Sequence, residues 1–266
     1  MPIAHVHGVD LAYEVTGSGP RVLFLNGSGS TLDTSRPLLG VFAPGFTLLA
    51  YDYRGLGSSG PAPAPYDMAT CAADALGLLD AVGWESARVL GVSFGGMVAQ
   101  EVAVTAPGRV ERLALLCTSS GGAGGSSYPL HELEALGADE QAAVRRTLMD
   151  TRFDDAWLDD HPRDRALAEL VSQARGDADP DQEAGRRAQL EARRGHDVWE
   201  RLGAIDCPTL VACGRFDGIA PMANAAAIAS RIPGAELRAY DGGHAFFAQD
   251  PAALPDVRDF LLADGR

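Results

Sequence analysis

Residues 87–103 read ARVLGVSFGGMVAQEVA and carry the motif GVSFG at positions 91–95, the most informative stretch of the chain. The apolar run before the motif predicts a buried strand, and the apolar residues after it predict a helix. A serine between a strand and a helix lies on a sharp turn, where glycines two positions away on either side relieve steric crowding. The stretch therefore predicts that Ser93 stands exposed at the turn, and that Phe94 begins the helix with an unpaired backbone N–H.

Two later segments supply candidate partners for this serine. The apolar run 210–214 predicts a strand that ends shortly before Asp217, and His244 lies in the glycine-rich segment DGGH at 241–244, after a further short strand. A serine hydroxyl needs a base within hydrogen-bond reach to attack a carbonyl, and a carboxylate can hold an imidazole in the required tautomer. The order Ser, Asp, His is the one expected for a serine at such a turn. Ser93, Asp217 and His244 are therefore the candidate catalytic residues.

Four motifs together resemble the α/β hydrolase fold family, namely DYRGLGSS (52–59), GVSFGG (91–96), GRFDGIAP (214–221) and GGH (242–244). The likeness runs from about residue 8 to the C-terminus and is interrupted by a variable middle segment. The resemblance implies an α/β fold with a mostly parallel central sheet of about eight strands and helices on both faces. It also implies a serine-dependent hydrolase that uses no cofactor and no metal.

Strand and helix patterns alternate along most of the chain, which is typical of a parallel sheet covered on both faces. An antiparallel pair is predicted at about 3–7 and 10–16, and a helix at 68–82. The order of the motifs favours one core domain, formed by residues 1–120 and 203–266.

The pattern changes between the two parts of the core. Residues 121–202 open with GGAGGSS and continue as charged helical stretches without strand signals. We interpret this segment as a helical lid, a feature of the family, and hypothesise that it is mobile and that its inner face sets specificity.

Four arginines of the lid segment have helical spacing. Arg186, Arg187, Arg193 and Arg194 stand at i, i+1, i+7 and i+8 and are interpreted as one helical face. We expect a solvated face that is paired with nearby acidic residues, and the alternative is a surface that binds an acidic substrate.

The segment LNGSG at 25–29 follows the third predicted strand, where the family usually has His-Gly; here Asn26 replaces the histidine. The resemblance implies that the backbone N–H groups of Ser28 and Phe94 form the oxyanion hole, and that Gly27 lets the backbone approach the substrate. With asparagine at this position, the segment resembles the enol-lactonase branch of the family. This resemblance favours small lactones or esters as substrates. With Asn26 and Gly27, the candidate pocket residues are Met97 and Trp157, for which packing is the alternative.

The composition restricts partners and compartment. The formal net charge is −14, so nucleic acid and anionic membrane surfaces are disfavoured as partners. The amino terminus lacks the pattern of a secretory signal, and no segment reaches the ~20 apolar residues of a membrane span. Four cysteines without C-x-x-C spacing predict buried free thiols. The expected compartment is the cytoplasm.

The leading interpretation is hydrolysis of a small-molecule carboxylic ester or lactone through an acyl-serine intermediate. Hydrolysis of carbon–carbon bonds uses the same three residues, but those enzymes typically carry tryptophan after the histidine, where this chain has Ala245. A cofactor-free perhydrolase of the haloperoxidase type also remains open. The alternative of another class is a small-molecule receptor that retains the three residues.

Overall fold

The computed structural model describes residues 1–61, 65–173 and 180–264. Within these residues, one sheet contains the strands β1 (Ile3–Val6), β2 (Val9–Gly17), β3 (Arg21–Leu25), β4 (Thr47–Tyr51), β5 (Ala87–Val92), β6 (Val110–Leu116), β7 (Thr209–Gly214) and β8 (Glu236–Tyr240). Their order across the sheet is β1-β2-β4-β3-β5-β6-β7-β8. Strand β2 pairs antiparallel with β1 and β4, and every other pairing is parallel. The predicted mostly parallel sheet, with its antiparallel start, is confirmed.

Helices surround this sheet. In the described residues they are α1 (Leu32–Phe42), α2 (Met68–Ala81), α3 (Phe94–Thr105), α4 (Ala138–Met149), α5 (Asp155–Asp160), α6 (Pro162–Gln173), α7 (Pro180–Arg194), α8 (Met222–Arg231), α9 (Phe246–Gln249) and α10 (Ala253–Leu262). Short 3₁₀ helices occupy Pro107–Arg109, Gly122–Gly124, Leu130–Ala135 and Trp199–Ala204.

The sheet is buried on both faces, so its central strands are mostly apolar. In β3, Leu23 and Leu25 point to the core formed with α2, α3 and α8, whereas Val22 and Phe24 point to the core formed with α1 and α10. Apolar area removed from water on both sides stabilises such a layered arrangement at about 25 cal/mol per Å². The central strands therefore hold the loops at their carboxyl ends in fixed positions.

Between β6 and β7 the described residues form helices and no strand. They contain a small apolar cluster of their own, in which Leu130 and Leu133 pack with Leu148 of α4 and with Ile219 from the loop after β7. This cluster attaches the segment between β6 and β7 to the edge of the sheet that carries the carboxyl ends of the parallel strands.

Two further sequence predictions concern cysteines and membrane spans. The four cysteines are free and buried, as predicted. No helix in the described ranges combines the length and the apolar character that a membrane crossing requires.

Candidate functional site

Ser93 lies at the sharp turn between β5 and α3. Its backbone has φ 54° and ψ −112°, a region that non-glycine residues rarely occupy and that costs on the order of 1–3 kcal/mol. The turn is held by a hydrogen bond from the Ser93 N–H to the Leu116 carbonyl at 2.9 Å, and by the Gly96 N–H, which donates to the Ser93 carbonyl at 2.9 Å. The strained residue is the predicted serine, which is half-buried in the structure and not exposed as the sequence predicts.

The glycines of the motif allow two backbone segments to approach. A Cβ at Gly91 would lie 2.5 Å from the Gly95 carbonyl oxygen, and a Cβ at Gly95 would lie 2.0 Å from the Leu25 carbonyl oxygen. Both distances are shorter than a carbon atom can make without a shift of the backbone. The motif therefore brings α3 against the end of β3, from which the next loop of the site begins.

Ser93, His244 and Asp217 form a chain of two hydrogen bonds. The His244 Nε2 lies 2.9 Å from the Ser93 Oγ, and the His244 Nδ1 lies 2.8 Å from the Asp217 Oδ2. Because an ionised carboxylate only accepts, Nδ1 carries the proton and Nε2 offers its lone pair to the serine hydroxyl. The structure thus brings together the three predicted catalytic residues at the distances that proton transfer from serine requires.

The carboxylate of Asp217 is fixed by its own loop. Its Oδ1 accepts hydrogen bonds from the backbone N–H groups of Ile219 and Ala220, each at 2.8 Å, and its side chain is wholly buried. The buried negative charge is therefore bonded on both oxygens, as its low solvent access demands.

The loop of His244 is held by groups that the sequence pattern did not indicate. The His244 N–H donates to the carbonyl of Met149, the last residue of α4, at 2.6 Å, and the Gly243 N–H donates to the Gln249 Oε1 at 2.9 Å. A Cβ at Gly243 would lie 1.9 Å from the Met149 carbonyl oxygen, so glycine is required for this approach. The inserted segment thus helps to position the imidazole.

The predicted oxyanion-hole residues lie beside the serine. In the described part of the chain, the N–H groups of Ser28 and Phe94 donate to no acceptor. A Cβ at Gly27 would lie 3.9 Å from the Ser93 Cβ, which shows how closely this loop passes the serine. The adjacent Gly29 N–H is instead bonded to the Gln189 Oε1 of α7 at 2.7 Å.

The predicted pocket residues have different positions. Met97 lines a cavity of about 290 Å³, one helical turn after Ser93. The buried side chain of Asn26 accepts a hydrogen bond from the Ser35 Oγ at 2.5 Å, so it is bonded within its own loop. Trp157 lies outside the lining of that cavity: its indole N–H donates to the Asp164 Oδ2 at 2.9 Å, and its ring stacks on His161.

The four arginines of α7 do not share one face, contrary to the expectation from their spacing. Arg187 and Arg194 are exposed and lie 3.5 and 3.7 Å from the carboxylates of Glu183 and Glu191. Arg193 is half-buried, and both it and Arg194 line the cavity, while Arg186 packs over Gly29. Successive residues are about 100° apart around a helix, so positions i and i+7 share one face and positions i+1 and i+8 the next.

Asp52 and Arg54, in the loop after β4, make structural contacts. The Asp52 carboxylate accepts from the N–H groups of Leu32 and Ser58 at 2.6 and 2.8 Å, and burial raises its pKa. The Arg54 guanidinium forms a buried ion pair with Asp74 at 2.6 Å. These bonds fix the loop that supports the site.

The fold agrees with the comparison to protein families. The model of the α/β hydrolase fold matches residues 20–251. The chain belongs to the α/β hydrolase fold family.

Several relatives of this chain are named as hydrolases. A protein of Azorhizobium caulinodans that is named as a carbamate hydrolase, RutD, is 30% identical, with 98% of this chain and 97% of the relative aligned. The poly(3-hydroxyalkanoate) depolymerase of Ectopseudomonas oleovorans is 29% identical over 90% of this chain and 83% of its own. Among solved structures, the enol-lactonase from Burkholderia xenovorans LB400 has a TM-score of 0.81 and 26% identity, with 98% of this chain and 100% of that chain covered. The family and these relatives support hydrolase activity.

Proposed function

We propose that this protein is a serine hydrolase that cleaves a small carboxylic ester or lactone through an acyl-serine intermediate. The observation that carries the proposal is the pair of hydrogen bonds that links Ser93 through His244 to Asp217, at 2.9 and 2.8 Å. A nucleophile, a base and a group that orients the base, all within hydrogen-bond reach, are the arrangement that acyl transfer needs.

The acylation step follows from this geometry. The Ser93 Oγ attacks the substrate carbonyl carbon while the His244 Nε2 accepts the hydroxyl proton. The carbonyl oxygen becomes negative, and the N–H groups of Ser28 and Phe94 stabilise it. The tetrahedral intermediate then collapses, the bond to the leaving oxygen breaks, and the imidazolium returns its proton to that oxygen. Asp217 stabilises the imidazolium throughout.

Deacylation repeats these steps with water in place of the serine. His244 takes a proton from water, the hydroxyl attacks the acyl carbon, and the proton passes to the Ser93 Oγ as the ester bond breaks. In a lactone the leaving alcohol stays attached to the acyl group, so one hydroxy acid is released.

We also propose that residues 121–202 act as a lid over this site. Support comes from α7, whose Gln189 binds the Gly29 N–H and whose Gln182 makes two hydrogen bonds to Gly57, at 2.8 and 3.1 Å. A covered site excludes water and strengthens the electrostatic contacts to the developing charge.

The covalent step is tested with a fluorophosphonate probe and a chromogenic short-chain ester. The wild type should be labelled at Ser93, and Ser93→Ala should lose the label and nearly all turnover. The rate that remains in the variant should exceed the uncatalysed rate in water by ~10³–10⁴-fold. Ser230→Ala removes an exposed serine of α8 and serves as the matched control, with labelling and turnover as in the wild type. Labelling of another serine in the Ser93→Ala protein would refute the assignment.

Carbamate hydrolysis is the second candidate, favoured by the relative from Azorhizobium caulinodans. A carbamate carbonyl accepts the same attack, but its nitrogen donates electrons to the carbonyl and slows acylation. An ester, a lactone and a carbamate with matched acyl groups should be compared by kcat/KM. A higher kcat/KM on the carbamate than on the ester would favour this second candidate.

A further inference from the structure

The cavity beside the site is built from both parts of the chain. Its lining includes Met97 and Ser119 of the core, Ser127 and Tyr128 of the segment between β6 and β7, and Leu190, Arg193 and Arg194 of α7. Its volume of about 290 Å³ is just below the range of about 300 to 1,000 Å³ for ligand sites.

This cavity adjoins the proposed nucleophile. Met97 donates its backbone N–H to the Ser93 carbonyl at 3.2 Å, and Thr118, the neighbour of Ser119, donates its hydroxyl to the same carbonyl at 2.8 Å. A group bound in the cavity is therefore separated from the serine by one turn of α3.

Arg193 is the feature of this cavity that internal packing leaves unexplained. One of its Nη2 hydrogens is donated to the Tyr128 carbonyl at 3.0 Å. A guanidinium has five N–H donors, and the other four have no partner among the residues described. Within the same residues, no aspartate or glutamate lies within ion-pair distance of Arg193, whereas Arg187 and Arg194 have such neighbours. The charge is thus held in place but not neutralised.

A half-buried cation without a counter-ion costs free energy, because it has lost part of its hydration. Burial lowers the pKa of the Arg193 guanidinium to about 10, against the opposite effect of the Asp217 carboxylate. The neighbouring His196 does not compete for an anion, because burial lowers its pKa to about 4 and leaves it neutral. An anion on the free face of Arg193 would supply the missing hydrogen bonds and charge.

We propose that Arg193 binds a carboxylate at the distal end of the substrate's acyl group, so that small anionic esters or lactones are preferred over neutral ones. This assignment rests on the serine hydrolase function proposed above. A planar carboxylate matches the fork of a guanidinium through two parallel hydrogen bonds, and the small cavity suits one such group.

The test compares two chromogenic esters, the 4-nitrophenyl monoester of glutaric acid and 4-nitrophenyl hexanoate. The ratio of their kcat/KM values is independent of the fraction of protein that is folded, so it reports specificity even for a weakened variant. Arg193→Gln should lower the anionic-to-neutral ratio by about ten- to a hundredfold, since a hydrogen bond to a charged group contributes ~1.5–3 kcal/mol. Arg193→Lys should give an intermediate ratio, because it keeps the charge without the fork. Arg187→Gln removes an exposed arginine of the same helix and should keep the wild-type ratio.

Binding of glutarate, measured by calorimetry on the wild type and Arg193→Gln, separates this inference from the proposed function. The Kd should rise by about ten- to a hundredfold in the variant, and inorganic phosphate should bind the wild type more weakly than glutarate does. If the wild type hydrolyses both esters and Arg193→Gln leaves their ratio unchanged, the carboxylate site is wrong and the hydrolase function stands. If the wild type hydrolyses neither ester, the hydrolase function fails, and equal glutarate binding by both proteins would overturn the carboxylate site as well.

Discussion

Replacing Gly95 by alanine tests whether the close approach of α3 to the end of β3 is what assembles the site. The new Cβ would lie 2.0 Å from the Leu25 carbonyl oxygen and 2.6 Å from the Asn26 carbonyl oxygen, and both are backbone atoms. Neither can rotate away as a flexible side chain would. Contacts of this kind do not occur below 3.0 Å, so one of the two segments must move by about 1 Å.

The size of the effect follows from where that movement falls. Asn26 begins the loop that carries the Ser28 N–H, and Gly95 follows the Phe94 N–H, so the two proposed oxyanion donors are pushed apart. Removing or misplacing one such donor costs about 10²- to 10³-fold in kcat. Overpacking of a tight contact costs in addition about 1–3 kcal/mol of stability.

The assay is turnover of a chromogenic ester together with urea unfolding at one pH. Gly95→Ala should lower kcat by at least about a hundredfold in the absence of urea. The variant should still be folded there, with its urea midpoint shifted to a lower concentration. Gly40→Ala is the matched control, because Gly40 lies in α1 with no atom within 4 Å of the added Cβ. It should gain about 0.5–1 kcal/mol of stability from helix propensity and keep full turnover. Wild-type kcat in Gly95→Ala would refute the reasoning.

The remaining predictions concern acid stability and the lid. Burial lowers the pKa of His196 to about 4 from its ordinary 6.5, so the unfolded chain binds a proton that the folded chain excludes as pH falls through this window. Stability should fall between pH 6.5 and 4 by about 3 kcal/mol from this source, and urea titrations of His196→Gln should lack that part of the loss. Gln182→Ala removes both hydrogen bonds to Gly57 and should raise KM several-fold, since each bond contributes ~0.5–1.5 kcal/mol to docking of the proposed lid. An unchanged KM with a lower unfolding midpoint would show that the segment only stabilises the fold.

The sequence predicted the parts of the structure that depend on local pattern and chain order. The strand, turn and helix around Ser93 follow from an apolar run, a glycine motif and a second apolar run, and the structure forms them at Ala87–Val92 and Phe94–Thr105. Asp217 and His244 were found because each follows a strand that ends at the same edge of a parallel sheet. Chain order is enough to bring such residues together.

Contacts between distant backbone segments carry no such pattern. The Met149 carbonyl accepts from the His244 N–H, and the Gln189 side chain accepts from the Gly29 N–H 160 positions away. Neither contact is marked by a motif or a periodic pattern in the sequence.

The expected pairing of the α7 arginines with nearby carboxylates holds for Arg186, Arg187 and Arg194, and fails for Arg193 within the part of the chain that the structure describes. Spacing alone indicates which residues share a face of a helix. The packing of α7 decides which face is solvated, and it places Arg193 in the lining of the cavity.

The charge of the whole chain bears on how an anionic substrate would reach this cavity. A net charge of −14 repels an anion at long range, whereas Arg193 attracts it at short range. At physiological ionic strength the Debye length is about 8 Å, so the field of exposed carboxylates decays within a few water layers. The guanidinium in the cavity is screened much less, because little solvent lies between it and a bound anion. Under these conditions the local contact, and not the net charge, determines whether a carboxylate-bearing ester binds, and a strongly acidic surface is compatible with an acidic substrate.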